Sequence, residues 1–212
     1  MSKKSGFTLI ELMVVITIIG ILMAALLPEL IKSQEAANQT ADEGNLKWHY
    51  QVMTLYKNKF SGRSPREGGH KFVLDTWVRG IAEHTEQNVD RYFSAQDRGS
   101  DEAYLELKDQ DPETIWKSLD ELSSYDTHWA GRAKEHKRGM WSGKEILMAT
   151  DNEGLNIYPD GSVVILLGDG ATRVLTRALD FAELGYSEDP DSEEIVEVGP
   201  ESLHPGLQKL DR

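Results

Sequence analysis

The stretch Phe7–Leu27 reads FTLIELMVVITIIGILMAALL, and its only polar side chains are Thr8, Glu11 and Thr17. Coiled as an α-helix, 21 residues extend about 31 Å, the thickness of the hydrocarbon core of a bilayer. Lys3 and Lys4 precede the stretch and a long polar chain follows it. The charge bias therefore predicts a single span, with the N-terminus in the cytoplasm and the bulk of the chain across the membrane. A cleaved secretory signal fits poorly, because its apolar core would be shorter and would end in a small-x-small site. Here Ala24 and Ala25 run on into Leu26, Leu27 and Pro28. A plain anchor explains length and flanks but not Glu11, since a carboxylate inside a membrane helix is costly and is retained where it has a partner.

Beyond the span, 212 residues suffice for one domain with a real core. Cysteine is absent, which excludes disulfides and thiolate metal sites. The formal net charge is -13, and ten of the acidic residues fall between Asp180 and Arg212. Such a molecule repels a polyanion on average, so nucleic acid is not the expected partner.

The run Lys3-Lys4-Ser5-Gly6 followed by Phe7-Thr8-Leu9-Ile10-Glu11-Leu12, with Gly20-Ile21-Leu22 and Pro28 behind it, resembles the prepilin cleavage and methylation signature of type IV pilins and type II secretion pseudopilins. The resemblance implies removal of a leader, residues 1–6, by a prepilin peptidase cutting between Gly6 and Phe7, with methylation of the new Phe7 amine. It implies that Phe7 and Glu11 act in assembly, and that the helix bends or loosens between Gly20 and Pro28. The partners implied are further pilin or pseudopilin subunits, the peptidase and methyltransferase, and an inner-membrane assembly platform. The location implied is the inner membrane with a periplasmic head, then a periplasmic or extracellular filament. A filament-tip adhesin or a DNA-contacting minor pilin is the alternative.

Downstream, residues 7–60 are expected to form one long helix with its transmembrane part at 7–27. Leu46, Met53 and Phe60 recur every seven residues, beside Tyr50, Val52 and Tyr56, and give its second half an apolar stripe. Gly44 is a candidate bend, and Pro28 a candidate kink because it removes a backbone donor. SGRSPREGG at 61–69 is turn chemistry that ends the helix. The next segment suggests one or two short helices with Phe72, Trp77, Val78 and Ile81 inward. Ile146–Met148, Leu155–Tyr158, Val163–Leu167 and Thr172–Thr176 are β-prone runs, the last three separated by Pro159-Asp160-Gly161 and Gly168-Asp169-Gly170. The fold class is thus α+β: a long N-terminal helix packed on a small antiparallel sheet, pilin-like, with the head at 61–185. Residues 186–212, acidic and containing proline, read as an extended or disordered tail.

Other constellations carry little chemistry. His128, Lys134, His136, Lys137 and Arg138 with Trp129 and Trp141 form a basic aromatic cluster that could meet DNA. A tip-binding function would need an exposed patch built from Trp77, Trp129 or Trp141. Asp160, Asp169, Asp189 and Asp191 invite a calcium reading, which major pseudopilins also suggest, although Asp-Gly pairs are equally what hairpins require. No ligands are assigned, and no other cofactor is expected. No local catalytic motif is present, so the chain reads as a structural protein and not an enzyme.

Overall fold

The computed structural model describes residues 7–150, 157–187, 189 and 194–211. The expected leader, residues 1–6, lies outside them, as do Leu155 and Asn156 of one expected strand and Asp191. The chain divides into two compact units, Met1–Ala37 and Asn38–Arg212.

Helix α1 (Leu9–Lys59), whose residues to Ala37 belong to the N-terminal unit and the rest to the second, begins two residues after Phe7 and stays helical through Gly20 and Pro28. Every residue from 7 to 34 is exposed. The helix is long and apolar enough to cross a membrane, and none of its most apolar stretch is buried in the protein. Thr17, within the apolar run, satisfies its hydroxyl on the carbonyl of Met13 at 2.8 Å.

The second unit holds the remaining elements. These are α2 (Gly69–Val78), α3 (Glu86–Asp90), α4 (Glu102–Leu107) and five strands: β1 (Trp129–Arg132), β2 (Ile146–Thr150), β3 (Val163–Leu167), β4 (Thr172–Leu175) and β5 (Leu210–Asp211). The strands form one antiparallel sheet in the order β4-β3-β2-β1-β5. The fold is α+β, a long helix with a small antiparallel sheet, as expected. One core joins Leu46, Val52 and Met53 of α1 and Phe72 and Trp77 of α2 to Leu147, Met148, Val164 and Leu166 of the sheet. The period-2 alternation of β3 sends Val163 and Ile165 into a second core. That core is closed by Phe181, Tyr186, Val196, Leu207 and Leu210.

The C-terminal region is therefore not the extended tail its composition suggests. Val196, Leu207 and Leu210 are fully buried, β5 pairs with β1 through Gly131 and Arg132, and Lys209 reaches Glu145 at 2.9 Å. The acidic residues around these anchors dominate composition, but three apolar side chains suffice to fix the segment on the sheet. Leu207→Ala should accordingly cost the head about 2–4 kcal/mol, measurable as a lowered urea midpoint of the detergent-solubilised chain. A midpoint equal to wild type would show that this segment closes no core.

Two further expectations are corrected. Trp129, grouped above with a basic aromatic cluster, starts an inner strand, Trp129–Arg132, that is buried throughout. Its arginine is hidden because the guanidinium donates to the carbonyls of His136 and Ile146, each at 2.6 Å, and to Glu145 at 2.6 Å. Gly131 is required there, since a Cβ would collide with the Gly69 carbonyl at the start of α2. The expected strand at Leu155–Tyr158 is, in its described part, a bend. Tyr158 is drawn instead into the core, where its hydroxyl donates to Asp42 at 2.6 Å.

Candidate functional site: the start of the long helix

The first described residues form a compact polar device in front of an apolar helix. Thr8 occupies the N-cap position and Glu11 is the third helical residue, so Thr-Leu-Ile-Glu has the spacing of a capping box. The backbone N–H of Thr8 donates to Glu11 Oε2 at 2.8 Å and its hydroxyl donates to the same oxygen at 2.7 Å. The backbone N–H of Glu11 in turn donates to Thr8 Oγ1 at 3.3 Å. Among the described residues, the carboxylate has its hydrogen-bond partners at the start of its own helix. Phe7 is exposed in front of it, and Gly6 lies outside the described residues. Gly20 has no atom within 4 Å of where a Cβ would sit. Pro28 supplies no N–H to the helix.

The other candidate clusters are occupied by structural work. Trp77 and Trp129 are fully buried, which corrects the notion of an exposed aromatic patch. Trp129 donates its ring N–H to the Arg91 carbonyl at 2.8 Å. Lys137 donates to the carbonyls of Pro65 and Arg66, at 2.7 and 2.6 Å, and so ties down the loop before α2. Lys134 pairs with Glu67, and Trp141 is half-buried with the Lys57 ammonium 3.9 Å from its ring centre.

Among the described residues, Asp97, Asp101 and His128 are the one group of three metal-ligating side chains within reach of each other. Ser94 donates its backbone N–H to His128 Nδ1 at 3.0 Å, so the ring proton sits on Nε2 and points at Asp101, 3.1 Å away. With one lone pair taken and the other nitrogen protonated, this imidazole has no free lone pair for an ion. Asp160 and Asp169 each accept a backbone N–H within their own turns, from Ser162 and Ala171.

Two buried polar residues of α1 carry no local sequence motif. Asp42 accepts from Ala95 N–H at 2.8 Å, from the Tyr158 hydroxyl, and from the Ser94 hydroxyl. Burial pushes its carboxyl above the usual range against these three donors. His49 donates Nε2–H to the Arg91 carbonyl at 2.9 Å, while its Nδ1 is buried without a partner. Burial, with the charge of Arg91 nearby, lowers its pKa to about 3, although the carbonyl bond works in the opposite direction. Both fall on the heptad register 42, 46, 49, 53, 56 of the buried stripe. That register is the signal that could have found them.

Comparison with known proteins converges on the same end of the chain. Residues 1–27 match the prokaryotic N-terminal methylation motif. The chain is 37% identical over 67 residues to type II secretion system core protein G of Pseudomonas aeruginosa, a stretch covering 31% of this chain and 47% of that protein. It is 48% identical over 59 residues to type IV major pilin protein PilA of Myxococcus xanthus, covering 28% of this chain and 26% of that one. The match thus spans about half of the first relative and about a quarter of the second. No solved structure matches the chain. The chain carries the prokaryotic N-terminal methylation motif, and its N-terminal third is of the kind found in type II secretion pseudopilins and type IV pilins.

Proposed function

We propose that this chain is a structural subunit of a type IV pilus-like or type II secretion pseudopilus filament, anchored in the inner membrane before assembly and without catalytic activity of its own. The observation that carries the reading is a single carboxylate, Glu11, in the first turn of a helix whose apolar start, residues 9–27, is exposed throughout and bears the methylation motif. A prepilin peptidase would cut between Gly6 and Phe7 on the cytoplasmic side. The new Phe7 amine, placed four residues before Glu11, would then pair with the Glu11 of a neighbouring subunit. This supplies the carboxylate with the opposite charge that an apolar environment demands, and fixes axial register between otherwise featureless helices. The helix between Gly20 and Pro28, where one residue lacks a side chain and the other a backbone N–H, is the segment able to loosen when subunits pack. Assembly would use further subunits of the same or related kind and an inner-membrane platform, with no metal or organic cofactor.

Mass spectrometry of membrane-extracted protein tests the processing step. The expected N-terminus is Phe7, carrying a methyl group. An intact Met1, or an N-terminus beyond Leu27, would overturn the reading in favour of a plain anchor or a secretory signal.

A further inference from the structure

Arg91, which caps the end of α3, is a cation with no ion-pair partner among the described residues. Its backbone carbonyl receives two buried ring N–H groups, from His49 at 2.9 Å and Trp129 at 2.8 Å, which hold its backbone in place. Its guanidinium lies over the Trp48 ring, 5.1 Å from the ring centre, and its Nε is buried with no hydrogen-bond partner. The neighbouring carboxylate does not serve it. Asp90 accepts from the Tyr104 hydroxyl at 2.8 Å and faces Arg98 at 3.5 Å, so Asp90 and Arg98 balance each other. No described carboxylate forms an ion pair with Arg91, in a chain that holds 36 acidic residues against 23 basic ones. Beside it opens a cavity of about 340 Å³, walled on the α1 side by Gly44 and Asn45. The missing side chain of Gly44 keeps that wall open, with no atom within 4 Å of a Cβ there.

A planar guanidinium held in place presents a fork of N–H donors that matches a carboxylate, and holding it beforehand lowers the ordering cost of binding one. The wall of the cavity is α1, the same helix whose apolar start is the proposed assembly element. In a filament the carboxylates at highest local concentration are those of other copies of this acidic chain. We propose that Arg91 receives an Asp or Glu carboxylate of a second copy of this chain in the cavity it shares with Gly44 and Asn45. The proposal rests on the filament reading and adds to it a contact made by the head.

The test uses full-length protein in sheared filaments. Arg91→Lys places an amine at the site, and a zero-length carbodiimide joins it only to a carboxylate in direct contact. The expected product is a covalent dimer whose joined peptides are position 91 and an Asp or Glu of another copy. Arg91→Met keeps an apolar stem on Trp48 without the charge. It should melt within about 2 °C of wild type in detergent while its sheared-filament yield falls at least threefold. Gly44→Leu, which fills the cavity and leaves Arg91 in place, should lower the yield similarly. Wild-type yields from both variants, or coupling only within one chain or to a different protein, overturn the proposal. A wild-type chain that stays in the membrane and never enters the sheared fraction overturns the filament reading itself, and the assignment of the partner with it.

Discussion

Replacing Glu11 by Val or Ala should leave the chain in the membrane and, on the filament reading proposed above, cut its yield in sheared filaments at least about tenfold, because removing one side of a charge pair in an apolar setting strands the other. Insertion is untouched since the substitution makes Phe7–Leu27 more apolar. The structure supplies a control that separates charge from helix capping. Glu11 Oε2 also holds the Thr8 N–H and hydroxyl, so a Val variant loses the cap as well. Glu11→Gln keeps an acceptor at the third helical position and preserves the box with Thr8, but it cannot pair with an ammonium. If Gln fails in assembly as Val does, the charge is what assembly needs. If Gln assembles normally, Glu11 serves only to start its own helix. Undiminished incorporation of the Val variant, alongside normal cleavage after Gly6, would remove Glu11 from the mechanism altogether.

Acid should weaken the head through His49. The folded protein holds this imidazole neutral until its pKa of about 3, whereas an unfolded chain takes up the proton near 6.5. Between those values the unfolded state binds more protons, so stability rises with pH in that window. The contribution is complete above about pH 7 and is lost as pH falls from 6.5 towards 3, amounting to about 4–5 kcal/mol over the whole window at 1.36 kcal/mol per unit. His204, also shifted downward by burial, acts in the same direction, while Asp42, shifted upward, acts in the opposite one. His49→Leu fills a comparable volume and leaves the Arg91 carbonyl with the Trp129 N–H. It should flatten most of the slope, so that denaturant midpoints at pH 7 and pH 4.5 differ far less than in wild type. An unchanged slope in the Leu variant would assign acid sensitivity to other groups.

The buried stripe of α1 shows how far periodicity reaches. Leu46, Val52, Met53 and Tyr56 were legible because apolar residues at helical spacing have one economical use, and all four are buried. Asp42 and His49 lie on the same register but are polar, and their burial is tolerated only because Ser94, Ala95 and Tyr158 in one case, and Arg91 in the other, bring partners from distant parts of the chain. Val163–Leu167 and Thr172–Leu175 were legible from β-branched residues between Asp-Gly turns. Trp129–Arg132 was not, because a short strand covered on both sides shows no alternation.

The candidate site is the opposite case. Phe7, Glu11, Gly20 and Pro28 stand in one contiguous stretch, and a helix needs only neighbours three and four residues away to place them. Length, apolarity and the capping spacing of Thr8 and Glu11 are local properties, so the sequence by itself determined the membrane-length helix and the position of its carboxylate. The tertiary structure alone decided that the described part of the acidic C-terminal region closes the second core, that Trp129–Arg132 is internal, and that Arg91 has no ion-pair partner among the described residues. Each of these depends on which distant residues arrive as partners, through β5 on β1, Glu145 on Arg132, and Asp90 on Arg98. Burial and charge balance are sums over such long-range contacts, which no run of adjacent residues contains.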